Sequence, residues 1–336
     1  MTKLRRRSLV AASLAATSLA APWIGGTARA QATRLRFAHP HPESDSWHKA
    51  ALLFAEEVRA KSGGALTVQV ISGGAAGSDP TTINAARGGT LDIVLTGNPF
   101  FTGLAPKLNV LDLPFLFSDR VHVARVLDGE IGNELAKELE PANLAVLGFW
   151  DIGFRNLTNS RRAVQGPADI RGLKIRTTPN PAHIKAFQLL GATPAPMPFT
   201  ELFTALETRA VDGQENPTTL ILNARFFEVQ RHLSLTRHAY TAGILAMSSQ
   251  RLAALPAAQQ EVLRGVAASI TPRQRRMNEE GEGTAVAELK AKGMAVVEQP
   301  DRDAMAKIVM AETRQDYVGR FGSAVLDRIV AAGPTA

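Results

Sequence analysis

"LKIRTTPNPAHIKAFQLLGATPAPMP" (residues 173–198) decides the fold. Leu173, Ile175 and Thr177 alternate with Lys174 and Arg176, which is the period of a strand. Asn180 is placed to cap a helix, Pro181 suits its first position and Gly191 its end, so a helix is predicted over 180–191. "TPAPMP" (193–198) follows as a strand, and its prolines, which lack a backbone donor, put it at a sheet edge. Strand, helix and strand at this spacing form a βαβ unit with parallel strands. Arg176 shares the polar face of its strand with Lys174. It is either solvated or held at the strand's end to grip something.

The same pattern continues on both sides. "TELFTALETRA" (200–210) reads as a helix and "VDGQE" (211–215) as the strand that ends the unit. Earlier in the chain, "LRFAHP" (35–40), "LTVQVI" (66–71) and "LDIVL" (91–95) read as strands. Between them lie a helix over 46–64, capped by Ser44 or Asp45 and stopped near Gly63, and a shorter one over 79–89 with Pro80 in its first turn. Two α/β units of one design imply two lobes, each with a mainly parallel sheet. "LAVLGFWDIGFRNLTNS" (144–160) is predicted to cross from one lobe to the other, with the return after 232–248. Beyond it the composition is helical from Pro256 to about Lys290, with an interruption or fresh start expected at Pro272. "MAVVE" (294–298) is a strand and 301–321 a helix.

Composition bounds the function. The 336 residues are 45% hydrophobic and 21% charged, as in ordinary globular proteins, and the length suits about two domains. The net charge of +7 owes five cations to the first 30 residues, Lys3, Arg5, Arg6, Arg7 and Arg29, where there is no acid. The remainder is nearly neutral and has no basic run, which argues against a nucleic-acid partner. Those 30 residues read as a cleaved signal peptide. "KLRRR" is its basic start, an alanine- and leucine-rich stretch follows, and "ARA" ends at Ala30. "RRRSLV" also resembles a twin-arginine export signal, so export by either route places the mature chain in the periplasm.

No dinucleotide fingerprint, P-loop, zinc-protease helix or nucleophile elbow is present, and without cysteine there is no thiol chemistry. His39, His41, Asp45 and His48 are the one cluster with metal-ligand chemistry. The prolines around His41 make a compact shared site awkward, so a strand end and helix cap beside a cleft is the preferred reading. Neither metal nor cofactor is expected. What stands out instead is Arg155 after "WDIGF", Arg176 at the end of its strand, and Asn216 in "QEN" (214–216). Parallel α/β sheets present ligand groups at the carboxyl ends of their strands, and arginines with a carboxamide there suit an anion.

The run from "GFRNLTNS" through "LKIRT", "PMPF" and "DGQENP" (153–217) closely resembles the solute-binding proteins of tripartite ATP-independent periplasmic (TRAP) transporters, of the DctP type. The resemblance covers essentially the whole mature chain, including "LDLPFLF" (111–117) and "FFEVQRHLSLTRHAY" (226–240). It implies an α/β, two-lobed binding fold that closes over its ligand, with crossing strands and a long helix spanning both lobes. The expected parts are 31–152 with about 242–281 as one lobe, 153–241 with about 282–308 as the other, and 309–336 as a helical segment across them. It implies a non-enzymatic carrier, expected to be a monomer. Such a carrier delivers a small organic acid to the small and large membrane subunits of a TRAP permease. Arg176 would pair with the ligand carboxylate, helped by Arg155 and Asn216. Phe199, Trp150, Asn98, His39 and His41 would line the pocket. An ATP-driven importer's binding protein is the competing expectation. An exported enzyme using Asp151, Glu215 and the histidines as acid–base groups is a more distant one.

Overall fold

The computed structural model describes residues 32–334, so the expected export signal lies outside the described residues. Nine strands form one sheet: β1 (Thr33–Ala38), β2 (Leu66–Ile71), β3 (Ile93–Gly97), β4 (Leu144–Asn159), β5 (Lys174–Thr177), β6 (Thr193–Pro196), β7 (Gly213–Asn216), β8 (His232–Ser248) and β9 (Ala295–Val297). Their order is β2-β1-β3-β8-β4-β7-β5-β6, with β9 on β8. The outer groups are parallel: β1 with β2 and β3, and β5 with β6 and β7. The seam is antiparallel, because β4 runs out and β8 runs back. β3 and β7 also join it antiparallel. The sheet is therefore mixed at its centre and parallel in both lobes.

Local chemistry explains the elements around the site. Asp45, not Ser44, caps the helix Ser46–Lys61, and its carboxylate accepts from the Trp47 N–H at 3.0 Å. Asn180 caps Pro181–Leu189 through the Ala182 N–H at 2.7 Å, and Gly191 takes φ +78° just beyond the end. The helix expected over 200–210 is shorter, Leu202–Glu207, and a tighter turn of Phe199–Glu201 precedes it.

Pro272 does not break its helix. Ala257–Ala291 runs unbroken for 35 residues. Proline removes the hydrogen bond to the carbonyl four residues back. Polar clamps onto β4 hold the helix just beyond that point. Gln274 accepts from the Asp151 N–H at 2.7 Å and donates to the Asp151 carbonyl at 2.9 Å, and Asn278 donates to the Ile152 carbonyl at 2.8 Å. Tertiary contacts thus outweigh the local penalty.

Hydrophobic cores lie on both faces of the sheet. Trp47, Phe37, Phe54 and Trp150 are buried in one cluster of the first lobe. Leu157, Ile170, Ile175 and Phe187 anchor the second lobe, with Met305 and Val309 of the helix Arg302–Phe321. That helix also reaches the first lobe, where the Tyr317 hydroxyl donates to the Lys107 carbonyl at 3.3 Å.

Candidate functional site

The carboxyl ends of β1, β3, β5 and β7 converge on a cavity between the lobes. It is lined by His41, Asp79, Gly97, Phe100, Ile152, Arg155, Arg176, Thr178, Phe199, Asn216 and Thr241, among others, and holds about 310 Å³ including its mouth. Four of the residues read from the sequence as binding groups, Arg176, Arg155, Asn216 and Phe199, meet there with His41.

Arg176 is 1% exposed, so it does not share the fate of its exposed neighbour Lys174. Its Nε and Nη2 donate to one acceptor, the Met197 carbonyl, at 3.1 and 2.7 Å. Those bonds fix the plane of the guanidinium and leave Nη1 without a hydrogen bond among the described residues. No carboxylate among the described residues lies within salt-bridge distance of it. Burial pushes its pKa down to about 10, with Glu215 pulling the other way, so it stays cationic at neutral pH.

Arg155 is as deeply buried but fully countered. It forms a salt bridge with the Glu215 carboxylate, and its Nη2 also donates to the Glu215 carbonyl and to Asn216 Oδ1 at 3.1 Å. Nη1 donates to Thr241 at 3.2 Å. Burial alone would raise the Glu215 pKa, yet the Arg155 charge and His238 hold it well below the carboxylate range. Asn216 accepts from Arg155 and donates to Gln214 Oε1, two residues back on the same strand face. The two arginines thus differ: one is neutralised in place, the other is not.

Three expected lining residues lie elsewhere. Trp150 is wholly buried in the core, its ring centroid 6.2 Å from that of Phe37. Asn98 turns away from the cavity to donate to the Leu108 carbonyl at 3.1 Å and to Asp112. Its neighbours Gly97 and Phe100 line the cavity instead, because β3 ends at Gly97 and the chain turns at Asn98. His39 pairs with His48 at 3.2 Å, and burial with the nearby histidines drives its pKa down to about 3. Among the described residues no acidic and histidine cluster is arranged to hold a metal ion.

Sequence reading missed Asp79, Thr178, Ile152 and Thr241. Asp79 is buried at the start of the helix Asp79–Arg87 and accepts from Thr96 and from the Phe199 N–H at 2.9 Å. An acid in a helix's first turn looks like ordinary dipole compensation, so nothing marked it. Thr241 pairs with Gly153 across the crossing strands, and Ile152 sits at the irregularity just before it, so both reach the cavity through a register that only the paired strands set.

Comparison with known proteins decides the affiliation. The profile of the family described as "Bacterial extracellular solute-binding protein, family 7" (DctP) matches residues 37–318. The chain belongs to this family. It is 38% identical over 292 residues to the 2,3-diketo-L-gulonate-binding periplasmic protein of Escherichia coli, covering 87% of this chain and 89% of that one. A TRAP periplasmic solute-binding protein from Polaromonas, solved with D-erythronate, superposes with a TM-score of 0.88 at 34% identity, covering 90% of this chain and all of the other. The sugar acid binding protein of Advenella mimigardefordensis, solved with galactonate, gives 0.87 at 34% identity over 90% and 97%. This family 7 chain therefore carries the expected α/β, two-lobed TRAP solute-binding fold, and the family it joins is one of binding proteins rather than enzymes.

Proposed function

We propose that this family 7 protein captures a small hydroxylated carboxylate outside the cytoplasmic membrane and hands it to the small and large membrane subunits of a TRAP permease. The observation that carries this is Arg176. A buried cation without a counter-ion is costly, and an incoming carboxylate removes that cost while meeting a planar fork already fixed by Met197. Arg155, already neutralised by Glu215, supplies a neutral hydrogen-bonding wall with Asn216. The relatives solved with D-erythronate and galactonate support the same class of ligand.

Magnitudes set the division of labour. One charge-assisted hydrogen bond contributes roughly 1.5–3 kcal/mol. A micromolar dissociation constant needs about 8 kcal/mol. The remainder must come from the second wall, from burial of the ligand's carbon skeleton against Phe199 and Ile152, and from water exclusion, which strengthens each ionic contact. Asp151, the acid–base candidate for an enzyme, is engaged by Arg120 and Asn278 and does not line the cavity. Among the described residues no helix is long and apolar enough to cross a membrane.

A thermal-shift screen of the mature protein over a carboxylate library tests the proposal. Polyhydroxy monocarboxylates should raise the melting temperature, because a ligand that binds only the native state stabilises it. A library in which no carboxylate shifts the transition would reject it.

A further inference from the structure

His41 stands at the cavity wall on the side contributed by β1, and the mechanism above does not use it. It is 4% exposed, and its ring lies flat on Trp47, with centroids 3.9 Å apart and planes 8° from parallel. Its Nδ1 is 3.0 Å from Asp45 Oδ1. The Asp45 carboxylate is itself held in place. It caps the helix Ser46–Lys61 through the Trp47 N–H, and Oδ2 accepts from Asn223 Nδ2 of the second lobe at 3.2 Å. Burial alone would raise the Asp45 pKa, but its bonds to His41, Trp47 and Asn223 keep it below the usual value. An ionised carboxylate only accepts, so Nδ1 must donate. In the neutral ring Nε2 then carries the lone pair. Among the described residues Nε2 has no hydrogen-bond partner, although the residue lines the cavity and faces Phe199 of the other lobe at 5.3 Å between ring centroids.

We propose that His41 is a specificity-determining residue whose Nε2 accepts a hydrogen bond from a ligand hydroxyl, so that the pocket selects polyhydroxy acids over unsubstituted carboxylates of the same length. This deepens the reading of the cavity as a carboxylate site and rests on it. Three constraints define the ring: Trp47 fixes its plane, Asp45 fixes its tautomer, and Asn223 joins that carboxylate to the opposite lobe. A buried acceptor that loses water on closure must be offered a donor, and a hydroxyl supplies one where a methylene or a keto oxygen does not. Arg176 thus reads the acid and His41 reads the hydroxylation. Asp45 acts as a positioning residue.

The test is calorimetry on the mature protein with D-galactonate and D-erythronate, against hexanoate and butyrate at millimolar concentration. Wild type should prefer the hydroxylated acids. His41→Ala should weaken D-galactonate or D-erythronate binding by about tenfold. His41→Gln, which keeps an acceptor, should recover part of the loss, and any hexanoate affinity should stay within about twofold. Nitrogen-15 shifts of His41 should show the Nδ1–H tautomer in wild type and lose it in Asp45→Ala. Unchanged sugar-acid affinity in His41→Ala, equal loss in the Ala and Gln variants, equal loss for both classes of acid, or an Nε2–H tautomer would each overturn the inference. Arg176→Ala separates the two readings. If wild type binds sugar acids and only the His41 variants behave as wild type, the carboxylate reading stands and this inference falls. If wild type binds no acid, both fall.

Discussion

At the scale of single residues, the two buried arginines show how neighbours set a role. Arg155 and Arg176 sit at equivalent depths, but among the described residues only Arg155 has a carboxylate partner. Arg176→Ala should therefore remove carboxylate binding almost entirely, by about a hundredfold or more, and Arg176→Lys should also cost about tenfold because a point charge replaces the fork. Titration calorimetry checks both, with circular dichroism to show retained fold. Near wild-type affinity in both variants would take Arg176 out of the site. Asp112 carries a different signal. It is completely buried and accepts from Asn98 and, at 2.8 Å, from Asn180. Burial raises its pKa to about 8, only partly offset by Asn98 and Arg155. In the unfolded chain a carboxyl titrates near 4. Between about pH 4 and 8 the folded protein keeps a proton that the unfolded chain has released, so Asp112 lowers stability as pH rises through that window. Asp112→Asn mimics the protonated form. The melting temperature of the variant relative to wild type should climb from pH 5 to 8, by about 1–2 °C for each kcal/mol relieved. A constant difference across that range would mean that Asp112 is not the titrating group.

At the scale of elements, close backbone approach does the positioning. Gly243 lies in the middle of β8, and a Cβ there would come within 2.2 Å of Trp47 Cζ2. Glycine lets the indole lie on the strand, and the indole in turn supports the His41 ring. Gly243→Ala should push Trp47 aside, lower the melting temperature by several degrees as overpacking costs about 1–3 kcal/mol, and weaken ligand binding at the same time. An unchanged melting curve would show that the strand can shift to accommodate the methyl group. The strands themselves were legible in the sequence because period-two alternation and Gly/Pro punctuation are local signals. β1, β2, β5 and β6 were found within about two residues, and so was β4, whereas the return crossing, expected after residue 248, is β8 itself. The short helices between Arg120 and Lys137 went unread, and so did Pro272's place inside a continuous helix. In both cases the outcome depends on contacts with residues distant in the chain, such as Asp151 and Ile152 for the long helix. The candidate site divides in the same way. Arg176, Arg155, Asn216 and Phe199 belong to motifs. Asp79 and Thr241 reach the cavity only through the register and packing of separate strands and helices.

At the scale of the whole molecule, three of the polar contacts between the two lobes share one pattern. The Phe199 N–H donates to Asp79 at 2.9 Å, Asn180 donates to Asp112 at 2.8 Å, and Asn223 donates to Asp45 at 3.2 Å. Each has a donor in the second lobe and a carboxyl group in the first. Ligand shifts the balance toward this arrangement only by touching both lobes within it. The seam contacts therefore act on the closed form and not on the first encounter with ligand. Removing one of them, as in Asn223→Ala, takes away about 1 kcal/mol from the closed state alone. A loss of that size should speed ligand release about fivefold while leaving the association rate within about twofold, since encounter occurs before the seam forms. Stopped-flow fluorescence of Trp47 and Trp150, the two tryptophans among the described residues, offers the readout, given that Trp47 packs beneath His41 at the seam. Asn223→Asp should act more strongly in the same direction, because it sets a second carboxylate against Asp45. If Asn223→Ala instead slowed association and left release untouched, the seam would be forming before the ligand is held, and the order of events would have to be reversed.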